Sequence, residues 1–156
     1  MHKNCFTLLE ILISIGIIAI LAALTVGGLQ FAGGKSDEAK TIAIMKEFEM
    51  ALEKYKADKG LYPVVTSAAE VDFDSTGDEW KKFKAGKYMS GELSGKLLDG
   101  YDNAFWYKYP GDKNKGKYDL WSLGEDGNHG NSGKSDEDNA SKAGEDGSDD
   151  ICNWKQ

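Results

Sequence analysis

The fold of this chain is decided near its start by the stretch FTLLEILISIGIIAILAALTVGGLQFAGG, residues 6–34. No charged residue lies between Ile11 and Gly34. An uncharged helix of that length can cross the roughly 30 Å hydrocarbon core of a bilayer. The apolar run is also longer than the about 7–15 residues of a cleaved signal peptide. The stretch therefore predicts a membrane-spanning helix.

Glu10 is a carboxylate at the start of this run, and a short polar segment, residues 1–5, precedes it. A charged side chain at the centre of a membrane helix costs roughly 2.5–3.5 kcal/mol, so a carboxylate here predicts a partner. The alternative is a simple membrane anchor for a soluble domain, in which Glu10 is an incidental charge.

The stretch from Phe6 to Ala23 resembles the N-terminal methylation motif of type IV pilins and of the pseudopilins of type II secretion. The resemblance implies that a prepilin peptidase removes residues 1–5 by cutting between Cys5 and Phe6, and that the new amine of Phe6 is methylated. It also implies that the apolar helix becomes the packing core of a filament. The family has Gly where this chain has Cys5, and both residues are small.

The motif gives Glu10 a physical role in such a filament. If cleavage frees an ammonium group on Phe6, a subunit shifted along the filament can bring that group to Glu10 of its neighbour. A buried ion pair of this kind contributes little net stability but can fix register, and removing one partner leaves a costly unpaired charge. We therefore predict that Glu10 serves assembly rather than catalysis.

Composition limits the rest of the chain. Of 156 residues, about 120 remain for one small soluble domain, 35–156. The net charge of −7 is contained in residues 125–150, which hold nine acids and two lysines. No basic stripe is present, so a nucleic-acid partner is not expected. After processing, Cys152 would be the one remaining thiol, which excludes an intramolecular disulfide, and we predict that it is a small buried residue.

Apolar residues at three- and four-residue intervals predict an amphipathic helix that follows the membrane run and packs on a core. This helix is expected to end at Lys59-Gly60, shortly before Pro63, and to be the second half of one long N-terminal helix. The predicted core stripe consists of Ile42, Met45, Phe48, Leu52 and Tyr55.

The region after the helix predicts a mixed loop and then a small antiparallel sheet. Residues 60–96 are expected to form a loop with one or two helical turns, in which Trp80 and Phe83 are core residues. Within the β region, 97–123, aromatic-rich segments at 105–109 and 118–123 flank a turn at 110–114 and predict a hairpin. A sheet of two or three strands packed on one long helix gives an α+β fold.

Further segments narrow the resemblance to the major pseudopilins of type II secretion. Tyr55 to Pro63 resembles the end of their long helix, and Asp99 to Tyr107 resembles their Asp-Pro-Trp-Gly-Asn-Pro-Tyr-x-Tyr segment. Tyr118 to Gly127 matches Tyr-Asp-x-x-Ser-Leu-Gly-Ala-Asp-Gly, and Asp149 to Trp154 matches a terminal Ala-Asp-Ile-x-Asn-Trp.

The resemblance implies a single-pass protein of the bacterial inner membrane, with its globular domain in the periplasm. Such a subunit polymerises into a periplasmic pseudopilus and works with other pseudopilins and the inner-membrane secretion platform. Two alternatives are a type IV pilin of a surface fibre and a monomeric, membrane-anchored calcium-binding domain.

The acidic C-terminal loop, 124–150, contains candidate ligands for a hard cation. Calcium binds six to eight oxygen ligands from carboxylates, carbonyls and water. Asp126 and Asp150 can supply two carboxylates, with carbonyls from Leu123 and Asn128. The resemblance implies Ca²⁺ at this position, with Asp149 as a further carboxylate.

Residues 128–148 form an insertion between Gly127 and Asp149, where the family has a short Gly-rich link. Its polar composition is consistent with disorder, and a solvated acidic loop without an ion is the alternative interpretation. Asp136 and Asp138 are candidate replacement ligands. His129 is expected to be exposed, because a lone imidazole beside hard oxygens suits neither zinc nor calcium.

No pattern in the sequence indicates catalysis. The chain shows no nucleophile motif with a base and no Gly-rich phosphate loop. A membrane-tethered hydrolase that uses the acidic loop as a metal centre would need histidine ligands and an open coordination site, which His2 and His129 do not supply. We therefore predict a structural protein and not an enzyme.

Overall fold

The computed structural model describes residues 7–75, 77–91 and 93–155, and for 24–33 it describes the backbone alone. The predicted leader, 1–5, and the predicted processing residues Cys5 and Phe6 lie outside this description. The chain divides into two compact units, one ending at Ser36 and the other beginning at Asp37.

The first helix, α1, spans Leu8–Lys59. Every described side chain from residue 7 to residue 23 is exposed; Leu8, for example, is 82% exposed. Among the residues whose side chains are described, no helix has both the length and the apolar character needed to cross a membrane. The side chains of 24–33, in the second half of the predicted span, are outside that set.

From residue 37 onward, α1 packs one face on the main core. Met45, Phe48, Leu52 and Tyr55 are buried as predicted. Ile42 is 39% exposed, so its assignment to the core stripe is wrong. The adjacent Thr41 is fully buried, and its hydroxyl group is satisfied by donating to one backbone group and accepting from another.

Four antiparallel strands form one sheet in the order of the chain. Their bounds are β1 Val65–Glu70, β2 Trp106–Tyr109, β3 Asp119–Ser122 and β4 Ile151–Cys152. The hairpin of β2 and β3 confirms the prediction, with Tyr107 opposite Leu120. The α+β class is likewise confirmed, but the sheet has one strand more than the upper prediction.

A short helix, α2, spans Asp78–Ala85 and buries Trp80 and Phe83. Both aromatic rings join the main core, as predicted; Phe48 lies 5.5 Å from Phe83 between ring centroids. The helical turns expected within 60–96 are therefore present, but β1 in the same region was not predicted.

The sheet carries a second apolar cluster on its other face. Successive side chains of a strand point to opposite faces, so Phe105 and Tyr107 join the main core while Trp106 joins the second cluster. The acidic loop supplies the cover: a 3₁₀-helix, Glu137–Lys142, places Ala140 against this cluster. The interpretation of residues 128–148 as a disordered insertion is therefore wrong.

Candidate functional sites

Glu10 takes part in a reciprocal cap at the start of α1. Its carboxylate Oε2 accepts hydrogen bonds from the backbone N–H of Thr7, at 3.1 Å, and from the Thr7 hydroxyl, at 3.0 Å. The backbone N–H of Glu10 donates in return to the Thr7 hydroxyl oxygen, at 3.3 Å. This is the capping-box arrangement, in which the acid satisfies a backbone donor at the helix start. In the single chain, Thr7 is thus the hydrogen-bond partner of the Glu10 carboxylate.

The structure brings Asp126, Asn128 and Asp149 together. The backbone N–H of Asp126 donates to Oδ2 of Asp149 at 2.9 Å. Oδ1 of Asp126 accepts the backbone N–H of Asn128 at 2.8 Å, and the Asn128 amide donates to the Asp126 carbonyl at the same distance. Two of the predicted carboxylate ligands, Asp126 and Asp149, are therefore neighbours, and the half-buried Asn128 lies in the same turn as Asp126.

Asp150 lies on the inner side of the loop and is 8% exposed. Its Oδ2 accepts the backbone N–H groups of Gly130, at 2.6 Å, and of Gly144, at 2.8 Å. These two bonds tie the beginning of the insertion to its end. Burial raises the pKa of the Asp150 carboxyl, although the two backbone donors oppose that shift.

The second oxygen of Asp150, Oδ1, is buried and has no hydrogen-bond partner among the described residues. The Ser148 hydroxyl donates to the carbonyl of Glu145, and its position close to Asp150 also lowers the pKa of that carboxyl. A buried carboxylate oxygen without a donor is costly, and a cation would compensate it. Since the predicted ligands offer oxygen donors alone, their chemistry fits a hard ion such as Ca²⁺.

The remaining predicted ligands have other surroundings. Leu123 is buried in the second apolar cluster, next to Gly124. Asp136 caps the 3₁₀-helix by accepting the backbone N–H of Asn139, and Asp138 lines a cavity with Lys108. Within the described part of the chain, no three His, Cys, Asp or Glu side chains are grouped closely enough to hold a metal ion. A cation here would therefore depend on backbone and amide oxygens as well as carboxylates.

His129 is fully buried, so the expectation that it is exposed is wrong. Its Nδ1 accepts a hydrogen bond of 3.1 Å from the indole Nε1–H of Trp121. Its ring also lies edge-on to Trp106, with 4.6 Å between centroids. Burial lowers the pKa of His129, and the nearby Asp136 carboxylate opposes that shift. The imidazole therefore anchors the loop to the sheet.

Sequence reasoning did not identify a buried polar group beside the acidic loop. It consists of the buried Asp99 and Ser122 with the half-buried Asn103, and its hydrogen bonds reach Gly124. Asp99 and Asn103 both match the pseudopilin residues at their positions in the 99–107 segment, and that match was the available signal. Their spacing alone did not indicate which groups they contact.

The architecture is that of a pilin-like structural protein: a long N-terminal helix with an exposed apolar first part, and an antiparallel sheet packed on its second part. Comparison with known proteins specifies the family within this class. The family model described as "Type II secretion system (T2SS), protein G" matches residues 30–154. The chain belongs to this family.

Several curated relatives carry the name "Type II secretion system core protein G". The chain is 34% identical to the one from Vibrio cholerae serotype O1 over 125 residues, which cover 78% of this chain and 80% of the relative. It is 31% identical to the one from Aeromonas hydrophila over 157 residues, covering 98% and 93% respectively. The relative from Escherichia coli K12 is 31% identical over 149 residues, covering 96% and 89%.

Family membership confirms the prediction of a major pseudopilin, that is, a structural subunit of the type II secretion pseudopilus and not an enzyme. The protein is thus part of an envelope machinery and assembles with other secretion components. The surface-fibre and monomeric alternatives are not favoured.

Proposed function

We propose that this chain, after removal of residues 1–5, polymerises through α1 into a periplasmic filament that supports protein export across the outer membrane. Before assembly, the stretch 6–34 holds the subunit in the inner membrane as a single span, with the globular domain in the periplasm. The observation that carries this proposal is the exposed apolar surface of α1 from Leu8 to Leu21. In the membrane, lipid covers this surface, and in the filament, other copies cover it.

Glu10 supplies the register of the filament. In the single chain its carboxylate caps its own helix through Thr7. In the assembled state, the amine that cleavage creates on Phe6 of a neighbouring subunit becomes its ionic partner. A mispaired subunit would leave a charge buried among apolar side chains, which is strongly unfavourable.

The capping box allows the helix-start role of Glu10 to be separated from its charge. Glu10→Gln keeps a side chain that can close the capping box but removes the charge, whereas Glu10→Ala removes both. We expect both variants to lose filaments, as measured by electron microscopy of envelope fractions from cells that carry the secretion system. Ser14→Ala, which removes only a hydroxyl bonded to the Glu10 carbonyl, is the matched control. Normal filaments from Glu10→Gln would contradict the charge-pairing role.

Processing is proposed at the bond between Cys5 and Phe6 by a prepilin peptidase, with methylation of Phe6. Intact mass measurement of the chain, expressed with and without that peptidase, should show loss of five residues and gain of one methyl group. Cys5→Gly, which restores the residue of the family, provides the positive control. A chain that keeps its leader when the control is cleaved would exclude processing of the natural sequence.

We also propose that the acidic loop binds Ca²⁺, and that binding draws together Asp126, Asp149 and Asp150, with oxygens from Leu123 and Asn128. The unpartnered Oδ1 of Asp150 supports this, as does the proximity of Asp126 to Asp149. When bound, calcium would neutralise the local acidic charge and tie the two ends of the loop. Melting of the full chain in detergent, in calcium and in chelator, tests the proposal, with magnesium as the control ion. An unchanged midpoint would exclude a stabilising calcium site.

A further inference from the structure

Asp99 is a buried carboxylate outside the proposed ligand set. It is 2% exposed, and both of its oxygens accept hydrogen bonds. Oδ1 accepts the backbone N–H groups of Tyr101, at 2.8 Å, and Asn103, at 2.9 Å. Oδ2 accepts the hydroxyl of Ser122, at 2.5 Å. One side chain therefore fixes both the 99–103 loop and the end of β3.

Ser122 and Asn103 in turn hold the two polar backbone groups of Gly124. The Gly124 N–H donates to the Ser122 hydroxyl oxygen at 3.0 Å, and the Asn103 amide donates to the Gly124 carbonyl at 2.8 Å. Asn103 also lies beside Gly127, because a Cβ added there would be 3.3 Å from its Oδ1. The Asn103 side chain thus spans the turn that carries Asp126.

The two glycines show how specific the conformation of this turn is. Gly124 has a φ of +66° and Gly127 a φ of +67°, in the left-handed region that side chains disfavour. A Cβ on Gly124 would lie 2.5 Å from the Asp149 carbonyl oxygen. The turn therefore needs positive φ at both ends and close contact with Asp149.

We infer that Asp99 and Asn103 are positioning residues for the cation site. They do not bind the ion; they hold the Leu123–Gly127 turn in one conformation, so that its oxygen ligands are ordered before binding. The inference rests on the proposed calcium function and deepens it. Hydrogen-bond partners of metal ligands and of their supporting backbone set ligand orientation, and their loss typically weakens metal affinity.

The same loop also contacts α1. The N–H of Gly100 donates to the Thr41 hydroxyl oxygen at 2.8 Å, and the Thr41 hydroxyl donates to the Asp37 carbonyl at 2.8 Å. A Cβ on Gly100 would lie 2.1 Å from that carbonyl oxygen, so the loop is pressed against the helix. Ordering of the acidic turn by calcium should therefore extend to α1 near Thr41.

The test compares two Asn→Ala variants of the full chain in detergent. Asn103→Ala should weaken calcium affinity, measured by titration calorimetry, by roughly 10–100-fold. Asn153→Ala is the matched control, because the Asn153 amide makes the same kind of bond to the Tyr118 carbonyl, beyond the opposite end of β3. It should lower stability while calcium affinity remains that of the natural chain. Asn103→Ser, whose side chain is too short to span the turn, replaces Asn103→Ala if that variant does not fold.

Amide hydrogen exchange in chelator gives a second readout. Asn103→Ala should accelerate exchange at Gly124 and Asp126, and addition of calcium to the natural chain should slow exchange at Gly100. Natural calcium affinity in Asn103→Ala, or an equal loss of affinity in Asn153→Ala, would overturn the positioning role while leaving the calcium site intact. A natural chain that binds no calcium would instead overturn the calcium proposal, and the positioning role with it.

Discussion

The buried indole N–H of Trp121 donates to Nδ1 of His129 and so joins β3 to the acidic loop, with 3.1 Å between the two nitrogens. His129→Ala should destabilise the protein by roughly 2–4 kcal/mol, because it removes a buried ring and leaves a buried donor unpaired. Chemical denaturation followed by tryptophan fluorescence measures the loss.

His129→Asn is the informative control for this prediction. An asparagine amide oxygen can take the place of Nδ1 as the acceptor for Trp121, so this variant should lose less stability than His129→Ala. Equal losses in the two variants would show that ring packing against Trp106, and not the hydrogen bond, accounts for the effect.

Two glycines with the same backbone conformation allow strain and crowding to be separated. Gly124 and Gly133 both have a φ of +66°, but a Cβ on Gly133 meets open space whereas one on Gly124 meets Asp149. Gly133→Ala should cost about 1–2 kcal/mol, from the left-handed conformation alone. Gly124→Ala should cost roughly 1–3 kcal/mol more from overpacking. Equal midpoints in thermal melts would contradict the proposed close contact with Asp149.

The helix and the hairpin were predictable because their patterns are local. Apolar residues repeat at helical spacing up to Tyr55, and Gly60 follows with a φ of +83° at the helix end. The β2–β3 hairpin was indicated by its aromatic segments and turn residues. β1 was not predicted because the side chains of Val65–Glu70 are mostly small and none is aromatic; its pairing with β2 defines it as a strand.

The acidic loop was misinterpreted because its order comes from contacts distant in sequence. Its composition is polar, but Trp106 and Trp121 project from the sheet face opposite to the main core and need a cover. Ala140 and His129 supply that cover. The alternation of Phe105, Trp106 and Tyr107 indicated that both faces of the sheet are apolar. No local pattern identified the segment that covers the second face.

Stability should decrease in alkaline solution as buried tyrosines ionise. Burial, with a contribution from Glu79, raises the pKa of Tyr55 from 10.0 to about 12. The folded state therefore favours the protonated phenol, so its stabilising contribution is complete below pH 10 and is lost as the pH rises through about 12. Burial likewise raises the pKa of Tyr107 and Tyr118. Denaturant unfolding at a series of alkaline pH values tests this, and Tyr55→Phe should reduce the decrease.

The two proposed ligands Asp126 and Asp150 have different structural roles, and one variant at each position can distinguish these roles. Asp150 accepts two backbone N–H groups, from Gly130 and Gly144, whether or not an ion is present. Asp150→Ala should therefore destabilise the chain by roughly 2–4 kcal/mol even in chelator, because it leaves two donors unpaired. Asp126 is exposed, and its carboxylate has one local hydrogen bond, to Asn128.

Asp126→Ala should consequently change stability by about 0.5 kcal/mol or less in chelator, yet abolish the increase in melting temperature that calcium produces. The four melts, each variant with calcium and with chelator, thus separate closure of the loop from binding of the ion. A large loss for Asp126→Ala in chelator would mean that its turn is structural and that the acidic loop is held by hydrogen bonds alone. A calcium-induced shift that persists in Asp126→Ala would instead contradict the role of Asp126 as a ligand, and Glu125, the other exposed carboxylate of the 123–127 turn, would be the next residue to replace.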